Sequence, residues 1–184
     1  MNEKIEHSNK IEDIIREYLL DEEILRKKLQ NNEVEFGFQF VFPPVHPQEE
    51  FKKSQSMVVF QPKKKKDLLI VSIGTQISPA HVEALQKNKN GEILFFKELK
   101  KFLHLKNVFF YLDMKNHRYE ISDQIFLTNN FISKNDFFLL IRRIFNIQAY
   151  TNLMLLDFCS GEIKAEYYED STKYDTGSHF SLYS

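Results

Sequence analysis

The chain has a single cysteine, Cys159, no tryptophan, and only five glycines and five prolines among 184 residues. One cysteine excludes an internal disulfide framework and fits a reducing compartment. Scarce glycine leaves little material for a phosphate-cradling turn. Gly74-Thr75 comes nearest, between a strand-like run and a helix start, but no glycine-rich pattern or Lys-Ser/Thr pair accompanies it. No stretch approaches ~20 uninterrupted apolar residues, so no membrane span is expected. The polar segment Met1 to Lys10 lacks the apolar run of a signal peptide. Neither sign of charge dominates. The formal net charge is −1, whereas a protein that wraps nucleic acid shows a basic excess because neutralised phosphates supply most of the affinity. These absences point to a cytoplasmic chain for which neither nucleic acid nor membrane is the expected partner.

What is present is a succession of hydrophobic rhythms. Ile11, Ile14, Ile15, Tyr18, Leu19, Leu25 and Leu29 recur at helical steps with charges between them, and predict an amphipathic helix stopped by Asn31 and Asn32. The period then becomes two. Val34, Phe36, Phe38, Phe40 and Phe42 alternate with Glu33, Glu35, Gly37, Gln39 and Val41, which predicts a strand with one aromatic face, ended by Pro43 and Pro44. Val45 to Ser54 reads as a loop. Met57 to Phe60 and Leu68 to Ile73 read as a hairpin around Lys63, Lys64, Lys65 and Lys66. Ser78-Pro79 is a helix start, and Asn88 to Gly91 is poor helix material where that helix kinks or breaks. Val108 to Leu112 and Tyr119 to Leu127 read as two more strands joined by a turn at Asp113 to Asn116. Ser133 with Asp136 resembles a capping box opening a long last helix to about Cys159. The expected organisation is a flexible N-terminus (1–10), a single α+β domain (11–160) and a polar, flexible tail (161–184).

Candidate chemistry is sparse. The lysines Lys63, Lys64, Lys65 and Lys66 are the most visible charge feature and a possible binding site, able to meet phosphate or an acidic partner. A solvated hairpin tip is the plainer reading. The six histidines show no i,i+4 pair and none accompanies Cys159, so no metal site is announced. His81 and His117 read as surface residues. Cys159 sits at a helix C-terminus, where the dipole opposes the thiolate, and reads as a structural thiol. Asp113 and Asp123 could approach one another across two strands as an acid and a base, although turns and caps use carboxylates too. The stripe Phe36, Phe38, Phe40 and Phe42 could line a ligand pocket or an interface, but such a stripe is more often core, and Phe36, Phe38 and Phe40 read as core. No catalytic, cofactor-binding or metal residue is expected.

The element order α-β-β-β-α-β-β-α resembles that of the type III secretion chaperone-like superfamily. Within it, the stretches Ile11 to Leu20, Phe42-Pro43-Pro44, Ile77 to Val82 and Tyr119 to Asp123 resemble an uncharacterised, largely archaeal family, domain of unknown function 2299. The resemblance implies an α+β fold with a twisted antiparallel five-stranded sheet packed by helices, and a small dimeric module that binds polypeptide. The expected function is therefore a non-catalytic protein-interaction module, chaperone-like, taking a protein or peptide partner as a homodimer, with the dimer face on the last helix. The alternatives are an enzyme with an unrecognised active site and a nucleic-acid binder through the Lys63 to Lys66 loop.

Overall fold

The computed structural model describes the backbone of residues 3–44 and 54–160, and the side chains of 11–44 and 54–160. The tail expected at 161–184 and most of the loop expected at 45–54 lie outside the described residues, as does the very start of the expected N-terminal segment. The elements are α1 (Glu3–Asp21), β1 (Leu25–Lys28), β2 (Val34–Phe42), β3 (Gln55–Pro62), β4 (Leu68–Gln76), α2 (Pro79–Lys87), α3 (Gly91–Leu105), β5 (Phe109–Asp113), β6 (Arg118–Phe126) and α4 (Lys134–Ser160). This is a mixed α+β chain with a six-stranded antiparallel sheet in the order β1-β2-β3-β4-β6-β5.

Among the described residues six strands stand where five were expected, and the extra one is β1. The first helix stops at Asp21 instead of continuing through Leu29. Glu23 adopts a left-handed conformation at φ 57°. Its N–H donates to the Leu20 carbonyl at 2.9 Å, and the Ile24 N–H donates to the Leu19 carbonyl at 3.1 Å. This pair of bonds is a Schellman stop, completed by the burial of both Leu19 and Ile24. Glutamate stands where glycine is usual, so the stop carries no glycine signal. The chain leaves as β1, where Leu25 pairs with Phe40 and Lys28 with Phe38.

The second expected helix does break, into α2 and α3. Asn90 turns left-handed at φ 62°, and Gly91 donates back to the Asn88 carbonyl at 2.9 Å. Ser78 caps α2 by accepting the His81 N–H at 3.3 Å, with Pro79 at the first helical position. Ser133 caps α4 in the same manner: the Asp136 N–H donates to Ser133 Oγ at 3.0 Å, while the hydroxyl donates to the Asp136 carboxylate at 2.6 Å. Replacing Ser133 with alanine is expected to cost about 1 kcal/mol. A urea midpoint unchanged by Ser133→Ala, or not restored by Ser133→Thr, would show that the cap is idle.

The chain divides into two compact units, each drawing on two separate stretches. The first comprises Met1–Ile73 and Ser122–Phe145. Its core takes Ile11, Ile15 and Leu19 from α1, Phe36, Phe38 and Phe40 from β2, and Phe137, Ile141 and Ile144 from α4. The hydroxyl of Tyr18 donates to the Ile132 carbonyl at 3.1 Å, and its ring lies 6.1 Å from that of Phe137. Lys134 bridges Asp21 at 3.2 Å and Glu22 at 2.9 Å. The carboxylates raise the Lys134 pKa above its ordinary value, Glu22 contributing most.

The second unit comprises Gly74–Ile121 and Asn146–Ser184. Its described core takes Leu85 from α2, Phe95, Phe96, Leu99 and Leu103 from α3, Tyr119 and Ile121 from β6, and Leu155 and Phe158 from α4. Phe95 meets Phe158 edge-on with centroids 5.8 Å apart. Asn88, just past α2, donates from its amide to the Phe158 carbonyl at 3.1 Å.

Candidate functional site

In the first unit, Lys63, Lys64, Lys65 and Lys66 stand exposed in the turn between β3 and β4. The turn is held by its main chain. Lys63 N–H donates to the Glu33 carbonyl at 3.1 Å, Lys65 N–H to the Pro62 carbonyl at 3.1 Å, and the Gln61 side chain to the Lys66 carbonyl at 2.6 Å. Glu33 and Glu35 lie beside it, and Lys66 Nζ is 3.8 Å from Glu35. The adjoining β1–β2 loop forms an open hollow of about 720 Å³, lined in part by Lys28, Asn31, Asn32, Glu33 and Glu35. Its charges are mixed, so it does not concentrate a field of one sign.

The aromatic stripe of β2 resolves as its alternation requires. Phe36, Phe38 and Phe40 are buried, and Phe42 is half-buried with its ring edge-on to Phe145 at 5.3 Å.

Both carboxylates singled out in the sequence are engaged. Asp123 is 7% exposed. It accepts from Arg143 at 2.6 Å and from the Gln124 N–H at 2.9 Å. Asp113 closes the β5–β6 turn, accepting from the Asn116 side chain at 2.7 Å and the Asn116 N–H at 3.1 Å. The Asn116 side chain chiefly holds its carboxyl below the ordinary value, and Arg118 and Lys115 add to this. Each therefore does the turn and ion-pair work that such positions ordinarily do.

The second unit holds a buried polar cluster that the sequence did not reveal. Gln148 donates to Thr75 Oγ1 at 2.6 Å and to Asn152 Oδ1 at 3.1 Å, and lies 3.3 Å from the Tyr119 hydroxyl. Tyr119 and Thr151 share a hydrogen bond of 2.9 Å. The helical spacing of Gln148, Thr151 and Asn152 was the available signal, masked by the apolar residues around them. No buried side-chain polar atom among the described residues lacks a partner, so the cluster ties α4 to β4 and β6 within this unit.

The histidines are placed by local bonds. His81 Nδ1 lies 3.1 Å from the Ser78 hydroxyl. His117, left-handed at φ 51°, pairs with Glu92 at 3.2 Å. The Cys159 thiol is half-buried, 3.6 Å from the His81 carbonyl, and burial pushes its pKa up. A thiol so placed resists forming the nucleophilic thiolate.

The unusual surface of this unit is apolar. Strand β5 reads Phe-Phe-Tyr-Leu-Asp, yet none of its residues is buried. Tyr111 is 50% exposed. Leu105, at the end of α3, is 84% exposed. On α4, Tyr150, Leu153 and Leu156 follow at three-residue steps and are each at least half exposed. Ring contacts link α3 to each: Phe102 of α3 stacks on Tyr150 with centroids 4.5 Å apart, and His104 meets Phe110 of β5 edge-on at 4.9 Å. The sequence marked Val108 to Leu112 as a strand without saying where in the sheet it lies. Its place at the sheet edge becomes visible only once the strand order is known.

Among curated proteins none matches the chain. The fold is similar to that in the crystal structure of an uncharacterized protein from Methanothermobacter thermautotrophicus, with a TM-score of 0.67 over 80% of this chain and 97% of that one. At 20% identity this likeness establishes shared architecture and nothing about activity. Among the described residues no helix is long and apolar enough to cross a membrane. A family profile described as "Uncharacterized conserved protein (DUF2299)" covers residues 11–155, the greater part of the sequence including every strand of the sheet, and the chain belongs to that family.

Proposed function

We propose that the chain is a non-catalytic protein-interaction module, chaperone-like in fold, that pairs as a homodimer and binds an extended polypeptide partner. The observation that carries this reading is the exposed apolar face of α4, where Tyr150, Leu153 and Leu156 stand in solvent at helical spacing. Single exposed apolar residues are ordinary on a protein surface, but a contiguous row of them marks an interface. Amphipathic helix faces and open strand edges are two surfaces that polypeptides use to recognise one another. The order of strands and helices, allowing for the added β1 and the split second helix, resembles the type III secretion chaperone-like arrangement and supports the same reading.

Light scattering at micromolar concentration is expected to give twice the 22.0 kDa chain mass. Leu153→Glu, which puts a charge at the centre of the α4 row, is expected to weaken self-association at least tenfold with no change in helix content. The protein is also expected to keep an unfolded reporter protein from aggregating. A strictly monomeric mass, together with no effect on the reporter, would overturn the reading.

A further inference from the structure

The turn of Lys63, Lys64, Lys65 and Lys66 has two flanks, and they differ. It joins β3 to β4, both interior strands of the sheet. On the β2 side its main chain is tied to the β1–β2 loop through the Glu33 carbonyl, and Lys66 lies 3.8 Å from Glu35. On the β6 side the Leu127 N–H donates to the Asp67 carbonyl at 2.7 Å. That bond sets Lys66, the last lysine of the turn, and Phe126, the last residue of β6, each one position from a shared main-chain contact. Phe126 is 64% exposed, and Phe131, which bridges Thr128 in the next turn, is 52% exposed. The segment Leu127-Thr128-Asn129-Asn130 between the two rings carries no charge.

We infer that this end of the sheet is a binding surface for single-stranded nucleic acid, in which Lys63, Lys64, Lys65 and Lys66 meet phosphates while Phe126 and Phe131 each stack on an unpaired base. The inference goes beyond the dimeric reading above and does not depend on it. Surfaces that hold single strands without reading their sequence combine cationic side chains along the backbone path with aromatic rings that accept the face of any base. Either component alone is ordinary: lysines are common at a solvated hairpin tip, and a lone exposed ring is common on any protein. It is their meeting in space, from stretches far apart in the chain, that points to a ligand with both phosphates and ring faces.

The tip is also built to hold still. Gln61, 1% exposed, donates its side-chain amide to the Lys66 carbonyl at 2.6 Å, and the Leu68 N–H donates to the Lys65 carbonyl at 3.2 Å. A fixed main chain leaves less to order on binding. A polypeptide is served less well at this place. Peptides add to an open strand edge or lie in a groove, whereas β3, β4 and β6 each have strand neighbours on both sides. A duplex keeps its base faces inside the stack and offers the two rings nothing, while a single strand can splay its bases out. The net charge of −1 fits a local patch and not a wrapping surface. The carboxylates of Glu33, Glu35 and Asp67 moderate the field of the lysines, so binding is expected to be weak and sensitive to salt.

The test is fluorescence anisotropy with a labelled oligodeoxythymidine of about 10 nucleotides, a length within the site sizes of such surfaces. Saturable binding in the micromolar range is expected, falling about 20-fold between ~50 and ~200 mM salt, with a duplex of the same length bound more weakly. Phe126→Ala with Phe131→Ala is expected to weaken binding about 5-fold or more without changing its salt dependence, and Phe126→Tyr with Phe131→Tyr to preserve it. Lys63→Ala, Lys64→Ala and Lys65→Ala together are expected to weaken binding about 10-fold and to flatten the logarithmic salt slope by about 2. All five positions are exposed, so circular dichroism and the melting temperature are expected to match the parent. The absence of saturable binding overturns the inference. So does a duplex bound as tightly as the single strand, or a loss in the lysine variant with none in the phenylalanine variant. A labelled polyglutamate peptide that binds as well as the oligonucleotide also overturns it, in favour of a plain site for acidic chains. None of these results bears on the oligomeric state, so the dimeric reading stands or falls separately.

Discussion

Phe40→Ala is expected to lower the unfolding free energy by about 3–5 kcal/mol. Phe40 is fully buried, on a strand with neighbours on both sides, opposite Leu25 of β1 and Met57 of β3. Removing the ring forfeits its transfer free energy and leaves a cavity that strands pinned on both sides cannot close. A protein of this size is stable by about 5–15 kcal/mol, so the variant loses a fifth or more of its stability and can fail to accumulate. Urea unfolding of Phe40→Ala beside Phe42→Ala checks the argument. Phe42 is half-buried, with its ring edge-on to Phe145, and its loss is expected to cost clearly less. A Phe40 variant within ~1 kcal/mol of the parent, a typical cost for any point change, would mean that the aromatic stripe is not what holds this unit together.

Gly91→Ala tests two opposed effects at one position. Gly91 opens α3, and helix propensity alone makes alanine better than glycine by about 1 kcal/mol. Sterics point the other way. A Cβ there would lie 2.4 Å from the Leu85 carbonyl oxygen and 3.0 Å from the Asn88 Cβ. The nearer atom belongs to the backbone of α2, which cannot swing aside as a long side chain can. Overpacking of this kind typically costs about 1–3 kcal/mol, and here it should reach the upper end and outweigh the propensity gain. The melting temperature is expected to fall by about 4–8 °C. Gly74→Ala is the control, since its nearest neighbour is the Arg118 guanidinium at 3.6 Å, an ordinary contact. A melting temperature unchanged or raised in Gly91→Ala would show that the α2–α3 junction yields.

Much of this architecture was legible because spacing reports what a segment buries. The period-two stripe of β2, the β3–β4 hairpin, the Ser78-Pro79 start and the Ser133 cap all appear where side-chain chemistry placed them. The misreadings share one cause, namely that the deciding contact was not local. Strand β1 has a single apolar residue, and it is a strand because β2 offers main-chain partners. The stop before it uses Glu23, and other left-handed residues include Asn90, Asn107, Asn129 and Asn130. A chain with five glycines turns largely on other residues. Asparagine tolerates this conformation and also serves as an ordinary polar residue, so its signal is weaker than that of glycine. Of the candidate sites, the lysine turn was legible as a position, whereas the exposed aromatic edge required the strand order.

The interleaving of the two units also bears on how the polypeptide is made. Strand β4, strand β6 and helix α4 each cross from one unit to the other within their own length. During synthesis, the amino-terminal unit lacks Phe137, Ile141 and Ile144 until the ribosome has passed Phe145. Its aromatic strand must wait for these partners while more than half of the sequence is still being read, an interval in which nascent-chain chaperones would find their strongest target. No single protease cut can release either unit whole.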